Sequence, residues 1–462
     1  MSEEDIGDSE PLNDHSIVEE ICEPFILSDD KYRQIRDIFL DEIARGLCKY
    51  TLKNAYVKFL MTFVEKLPSG CERGNFLGLD LDGTTLLRII LINPHSKEDF
   101  QIEGANYELP ESLLTRPGDD LFDFLAECLS KFIYKYELQQ DELSLGFTFS
   151  FPLKQNKLTR GVLLSWTKGF SCSGVVGHDV VDLLQQAIKR RGDIHIPNIV
   201  ILNETTSTLI SCAWQYREAK VGLIVDTAIS ISYLEKTKHI DQFKGGVNAS
   251  PTMIINCEFD NFGNDGLLDF VRTPIDLTLD NDSVNVGQQV FGKMTSTKYL
   301  GEIVRLIMLK CVDAGAMLRG NYSDQIRTPM SFNIEFMSKI EAEEAGNDSI
   351  IRQIFEIMGY KRPSVEDCEH LRYICNLVSN RSAYLIAAIL AALINHIGDP
   401  FVIIGVDGSV YRKYPAYSER LRKQLRKLAR PEYTFSLKLA EYNPGVGAAL
   451  LAATTFAKKG NP

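Results

Sequence analysis

Hydrophobic and polar positions along the chain alternate between two rhythms. Apolar residues dominate 76–81 and 86–92 on either side of the polar DGTT, and alternate again near 100–107, which predicts a three-stranded meander with a glycine turn. Ahead of it, 28–48 and 52–65 carry apolar residues at helical spacing and predict a helical lead-in, while 1–16 are expected to be disordered. Helical periodicity returns at 121–136. It is followed by a strand in LSLGFTFSFPL, a polar loop, VLLSWTKGF, a helix at 179–190 and a strand in IPNIVILNET. The pattern then restarts, with strand, polar turn and strand in VGLIVDTAISISYLEK and a loop at INCEFDNFG. Residues 299–395 are mainly helical, with 383–394 the longest apolar helix. FVIIGVDGSVY is a last strand, and NPGVGAALLAATTFA turns through glycine into an alanine-rich helix.

Two β-rich openings, each followed by helices, predict an internal duplication around a central cleft. The 462 residues are too many for one ordinary core, which agrees with two lobes. Composition is that of a core-forming chain, 45% hydrophobic and 24% charged. The formal charge of −12 argues against general nucleic-acid binding, which needs a basic face, so the basic runs at 189–191 and 412–430 read as solvated helix faces. No apolar run reaches the roughly 20 residues of a membrane span, and the acidic N-terminus MSEEDIGDSEPLNDHS shows neither a signal pattern nor an anchor. Ten cysteines lack CxxC or metal-like spacing, which predicts free thiols in a reducing, cytoplasmic setting and no zinc site.

Within the first hairpin, LGLDLDGTTLLRI reads as a buried strand entering a phosphate-binding glycine turn, yet the turn contains a carboxylate, Asp82. LGFTFSFPL with SWTKGF, ILNET, the restarting IVDT strand, and GVDGSVY with PGVGAALLAA keep one order and spacing. Together they resemble the hexokinase family over about residues 21–458. The resemblance implies an α/β, actin-like ATPase (ribonuclease H-like) duplicated fold with two lobes around a central cleft. A lead-in at 17–75 would pack on the large lobe, 76–203 would form the small lobe completed by 444–460, and 204–443 the large lobe. It implies one hexokinase unit rather than a tandem pair. The implied activity passes the γ-phosphate of Mg-ATP to the 6-hydroxyl of a hexose such as glucose, the first step of glycolysis. No nucleic-acid partner, membrane anchor or particular protein partner is implied.

By the same resemblance the sugar would be held by Ser150, Thr167, Lys168, Asn203 and Glu258, with Ser230 at a further sugar position. Glu204 would be the general base, with Lys168 beside it. The nucleotide would meet Asp80, Gly83, Thr84, Thr227, Asp407, Gly408, Ser409, Gly445 and Gly447, with no direct metal ligand and Asp80 reaching magnesium through water. The departures from the pattern are concentrated. Ser230 stands for an asparagine and Gly292 for a glutamate, each costing roughly 1–3 kcal/mol if a partner is left unsatisfied. Glu204 replaces an aspartate base, and a shift of about 1 Å in such a group can cost on the order of 10² in rate. Asp82 replaces a glycine of the first phosphate loop, while Leu87 takes the arginine position and leaves Arg88 on the opposite strand face. Asp226 and Ala228 replace both glycines of the second loop, and Ile389 replaces a glycine expected against adenine. Like charges about 4 Å apart repel by roughly 1–4 kcal/mol at effective dielectrics of 80 to 20. The expectation is therefore a hexose-binding hexokinase relative with reduced or lost catalysis. The alternatives are a fully active phosphotransferase using a glutamate base, and a non-catalytic sugar-sensing or interaction protein.

Overall fold

A computed structural model of the chain describes residues 14–94, 100–246, 249–344 and 346–457. Its strands are β1 (Lys58–Met61), β2 (Phe76–Leu81), β3 (Leu86–Pro94), β4 (Phe100–Glu108), β5 (Ser144–Phe149), β6 (Leu153–Lys157), β7 (Arg160–Leu163), β8 (Asn198–Leu202), β9 (Ala219–Val225), β10 (Ile229–Lys236), β11 (Thr252–Glu258), β12 (Phe401–Asp407) and β13 (Thr434–Leu439). One sheet has the order β4-β3-β2-β5-β8 and the other β1-β11-β10-β9-β12-β13. In both, a three-stranded antiparallel meander is extended by two parallel strands, β5 and β8 in one half and β12 and β13 in the other. The duplication expected from the restarting pattern is thus present in five strands of each sheet, with β1 an additional antiparallel strand beside β11. The central strands are buried on both faces, which explains why they read as nearly continuous apolar runs rather than alternating ones.

Three apolar cores follow from this arrangement. One fills each half, and a third lies between the sheets, built from Val200, Leu202, Leu209 and Ile210 with Val446 to Ala453 of the helix Pro444–Phe456. That helix lies so close to the first sheet that side chains are excluded. A Cβ on Gly78 would come within 2.0 Å of the Gly445 carbonyl oxygen, and one on Gly146 within 1.9 Å of that of Ala448. On the other side, a Cβ on Gly447 would meet the Ser207 carbonyl oxygen at 2.2 Å, in the helix Glu204–Gln215. Glycine here permits backbone-to-backbone approach, and the seam holds the strand ends of both halves facing one cleft.

Several local readings are corrected. Residues 14–16 belong to the helix Asp14–Cys22, whose Val18 and Cys22 are fully buried in the second core; residues 1–13 lie outside the described residues. The stretch 52–65 is not a helix. Only a short turn at Leu52–Asn54 is helical, and β1 pairs antiparallel with β11, burying Val57 and Phe59 in the core while Met61 packs partly against it. The first four residues of INCEFDNFG, 255–258, end strand β11, and the remaining five form the turn that follows. The apolar segment 383–394 is part of the helix Val365–Ile397, whose 33 residues are long and apolar enough to cross a membrane by length and composition. Of its most apolar window, 89% is buried inside the protein, where a Ser364–Asp367 capping box starts the helix and left-handed Gly398 stops it.

The seam makes a direct prediction. Gly146→Ala should lower the unfolding free energy by about 1–3 kcal/mol through overpacking, whereas Gly246→Ala, with nothing within 4 Å, should stay within about 0.5 kcal/mol of the parent. Denaturant unfolding measures both; equal values would contradict the close approach.

Candidate active site

The carboxyl ends of strands from both halves open into one cavity of about 580 Å³. Such strand ends are where an α/β sheet leaves room for a ligand. Ser150, Thr167, Lys168, Asn203, Glu204, Ser230 and Glu258 all line this cavity, so the structure brings together every predicted sugar residue and the predicted base. Ser150 follows β5, and its buried Oγ has no partner among the described residues, an arrangement that suits a polar ligand. Asn203 caps the helix Glu204–Gln215, its Oδ1 accepting from the Thr206 amide at 2.8 Å, which fixes the side chain at the cavity wall. Behind it, Thr205, Thr206, Ser232 and Asn256 form a buried hydroxyl and amide network with contacts of 3.0–3.3 Å. Lys168 has a left-handed backbone (φ 56°), as sparsely populated conformations at functional turns often do. Its Nζ donates to the Asp82 carbonyl oxygen at 2.5 Å. Gly83 (φ +85°) leaves space for the lysine stem, which a Cβ would meet at 2.3 Å.

The cleft is crowded with carboxyl groups. Burial raises Glu204 to about 7, opposed by Lys168 and reinforced by Asp80, Asp82 and Asp407. Burial likewise raises Asp80 to about 7 despite its contact with Arg88. Asp260, which also lines the cavity, is pushed up to about 7 by burial against the pull of the Ile229 amide. Glu258 is raised by burial, partly offset by Lys58.

In the phosphate loops, Asp82 and Asp226 each sit at the first position after an equivalent strand, β2 and β9, and both turn inward. Thr84 donates its amide and hydroxyl to Asp82 Oδ1 at 2.8 and 2.6 Å. Arg88 is the main correction to the sequence reading. Being on the face opposite Leu87 places it on the cleft side, where Nη1 donates to Asp80 Oδ2 at 3.0 Å and Asp82 Oδ2 at 2.8 Å. Burial alone would raise the Asp82 carboxyl, but Thr84 and Arg88 outweigh it and hold it below its ordinary value. Asp82 is therefore a paired charge, not the bare repulsive one expected. Asp226 accepts from the Thr227 amide at 2.9 Å, the Ser409 amide at 2.9 Å and the Ser409 hydroxyl at 3.1 Å. Asp407 accepts from the Gly408 amide and Arg412 Nε at 2.6 and 2.7 Å.

These contacts decide how far Mg-ATP fits. Asp80 Oδ1 is buried with no partner among the described residues, which suits a water-bridged cation. Of the donors that would receive phosphate oxygens, the amide and hydroxyl of Thr84, the amide of Thr227 and the amide and hydroxyl of Ser409 are instead engaged by the protein's own carboxylates, so at these groups a phosphate oxygen does not fit without displacing one. Gly408 (φ 110°) is required where its Cβ would meet the Val225 carbonyl oxygen at 2.2 Å, and Gly445 and Gly447 serve the helix seam. Ile389 is fully buried in the second core, so its side chain is packed there and presents nothing to solvent.

Sequence reasoning missed Asn256 and Asp260, which line the cavity with Glu258. Read as strand β11, the segment places Asn256 and Glu258 on one face with buried Cys257 on the other, and Asp260 lies in the turn just beyond. The misread loop concealed that signal.

The raised Glu204 yields a pH prediction. Between about pH 4.5, its ordinary value, and about 7, the folded protein holds a proton that the unfolded chain has released, so this group's contribution to stability falls as pH rises through the window. Relative to Glu204→Gln, wild type should lose stability by at most about 1.4 kcal/mol per pH unit there. A pH-independent difference in denaturant titrations would contradict the buried placement.

Two family models described as hexokinase match residues 17–214 and 220–454. Hexokinase-1 of Homo sapiens is 38% identical over 438 residues, and Hexokinase-2 of Rattus norvegicus 40% over 438; each alignment covers 93% of this chain and 47% of the relative. The chain thus spans about half the length of the curated relatives it matches. Among solved structures, a hexokinase from Schistosoma mansoni complexed with glucose superposes with a TM-score of 0.87 at 34% identity, covering 96% of this chain and 100% of that one. A second crystal structure described as hexokinase gives 0.84 at 28% identity, covering 96% and 99%. The actin-like, two-lobed α/β kinase fold expected from the sequence is the one observed, and this chain belongs to the hexokinase family.

Proposed function

We propose that the chain binds a hexose such as glucose in the central cleft and transfers phosphate from Mg-ATP slowly or not at all. One observation carries the reading: the Thr84, Thr227 and Ser409 donors facing the phosphate loops are already engaged by Asp82 and Asp226. An entering phosphate must displace a paired carboxylate and also approach its charge. The sugar side supports binding, since Ser150, Thr167, Lys168, Asn203 and Glu258 surround the cavity and the Schistosoma relative is described as complexed with glucose. A site built to pair hydroxyls discriminates strongly against ligands lacking them. All ten cysteines are unpaired, which supports a cytoplasmic setting.

A second reading, an active ATP:hexose 6-phosphotransferase, is favoured by two observations. Arg88 neutralises part of the acidic loop, and Glu204 at about 7 suits a general base near neutral pH. In that reading Glu204 takes the proton of the 6-hydroxyl and Lys168 offsets negative charge beside it.

Glucose-dependent ADP release with Mg-ATP, run beside Glu204→Ala, separates the two. The proposal predicts turnover at most about tenfold above the variant, together with a glucose-dependent rise in thermal midpoint. Turnover that falls about 10²–10⁴-fold in Glu204→Ala would overturn it. Replacing both aspartates, Asp82→Gly with Asp226→Gly, should raise Mg-ATP affinity at least about tenfold, read by calorimetry; an unchanged affinity would show that the carboxylates are not the obstacle.

A further inference from the structure

Asp260 follows β11 at the deep end of the cleft, two residues beyond Glu258, with Phe259 between them buried in the second core. Its carboxylate has little to do inside the protein. Among the described residues, the one hydrogen bond to it is from the Ile229 amide, at a long 3.4 Å. Opposite it, in the helix Val290–Thr295, stands Gly292, where a Cβ would lie 3.0 Å from both Cγ and Oδ1 of Asp260. Any larger residue at 292 would press on the aspartate, so the two positions are physically coupled. Ser230, the other small residue in this wall, is next in the chain to the Ile229 that Asp260 touches. Gly292 thus borders this carboxylate directly, and Ser230 lines the same cavity.

We propose that Asp260 is a sugar-binding residue of this chain, its carboxylate accepting hydrogen bonds from hexose hydroxyls in the space left by Ser230 and Gly292. This inference rests on the reading of the cleft as a hexose site. The chemistry is that of a carboxylate with free acceptor positions meeting neighbouring hydroxyls, which can each donate one hydrogen bond. Glu258 two residues earlier supplies a second carboxyl on the same wall, so vicinal hydroxyls can be shared between them.

Calorimetric titration of the full chain with D-glucose and with each monodeoxyglucose tests the assignment. Asp260→Asn and Asp260→Ala should weaken glucose binding by about 10- to 100-fold. At least one deoxy analogue, penalised in wild type, should bind the variants no worse than glucose does, because the partner of the missing hydroxyl is gone. The swap Asp260→Gly with Gly292→Glu should recover part of the affinity lost in Asp260→Gly. Thermal midpoints without sugar report whether each variant folds, and Asp260→Asn, which keeps size and shape, carries the test if the smaller replacements do not. Variants that bind glucose like wild type, or that lose all analogues uniformly, would overturn the role of Asp260 while leaving the hexose site intact. Failure of wild type itself to bind glucose would overturn the hexose reading and the inference with it.

Discussion

Backbone has to meet backbone at the seam between the halves, and the site depends on that constraint. Gly78, Gly146 and Gly447 allow the helix Pro444–Phe456 to lie against the first sheet and against the helix Glu204–Gln215 with no side chain between. The cap residue Asn203 and the base candidate Glu204 begin that second helix, and Asp80 lies one strand residue from the turn that faces them. Separating the layers by even one methyl group would move groups contributed by different halves relative to one another, and reactive geometries tolerate about 1 Å.

On this scaffold the duplicated fold has been used unevenly. The turns after β2 and β9 occupy equivalent places in their sheets; Asp82 folds back onto the amide and hydroxyl of Thr84 in its own loop, and Asp226 onto the Thr227 amide and onto Ser409 after β12. A donor satisfied in this way offers an incoming anion only the difference between two acceptors, not a full hydrogen bond. The sugar wall keeps the opposite character. Among the described residues, Ser150 Oγ stays without a partner and the Asp260 carboxylate has a single long hydrogen bond, so acceptor and donor capacity remains directed at the cavity. One half of the cleft is internally satisfied, and the other is open to a polar ligand.

The strands legible in the sequence were those buried on both faces, because unbroken apolar runs such as FLGLDL and VGLIV leave little else to be. The restart of that pattern disclosed the duplication, and motif order disclosed the cleft residues from Ser150 to Glu258. What remained hidden was short or paired across long distances. β1 has four residues and gains its identity from β11, nearly 200 residues later, which no local period reports. Arg88 was read by its displacement in the motif, whereas its function follows from facing Asp80 across an antiparallel pair and reaching Asp82 beyond it. Asp260 was missed because it lies in the turn beyond β11, where no strand period reports it, and its meaning appears only with Gly292 placed opposite.

The central claim is that the hexose side of the cleft is competent while the phosphate side is occupied by the protein's own carboxylates. Calorimetric titration of a magnesium-bound, non-hydrolysable ATP analogue into glucose-saturated protein tests it most directly. The account predicts heat on adding glucose and no nucleotide binding up to about 1 mM, the upper end of ordinary enzyme affinities. Saturable nucleotide binding well below that concentration, unaltered by Asp226→Gly, would contradict it.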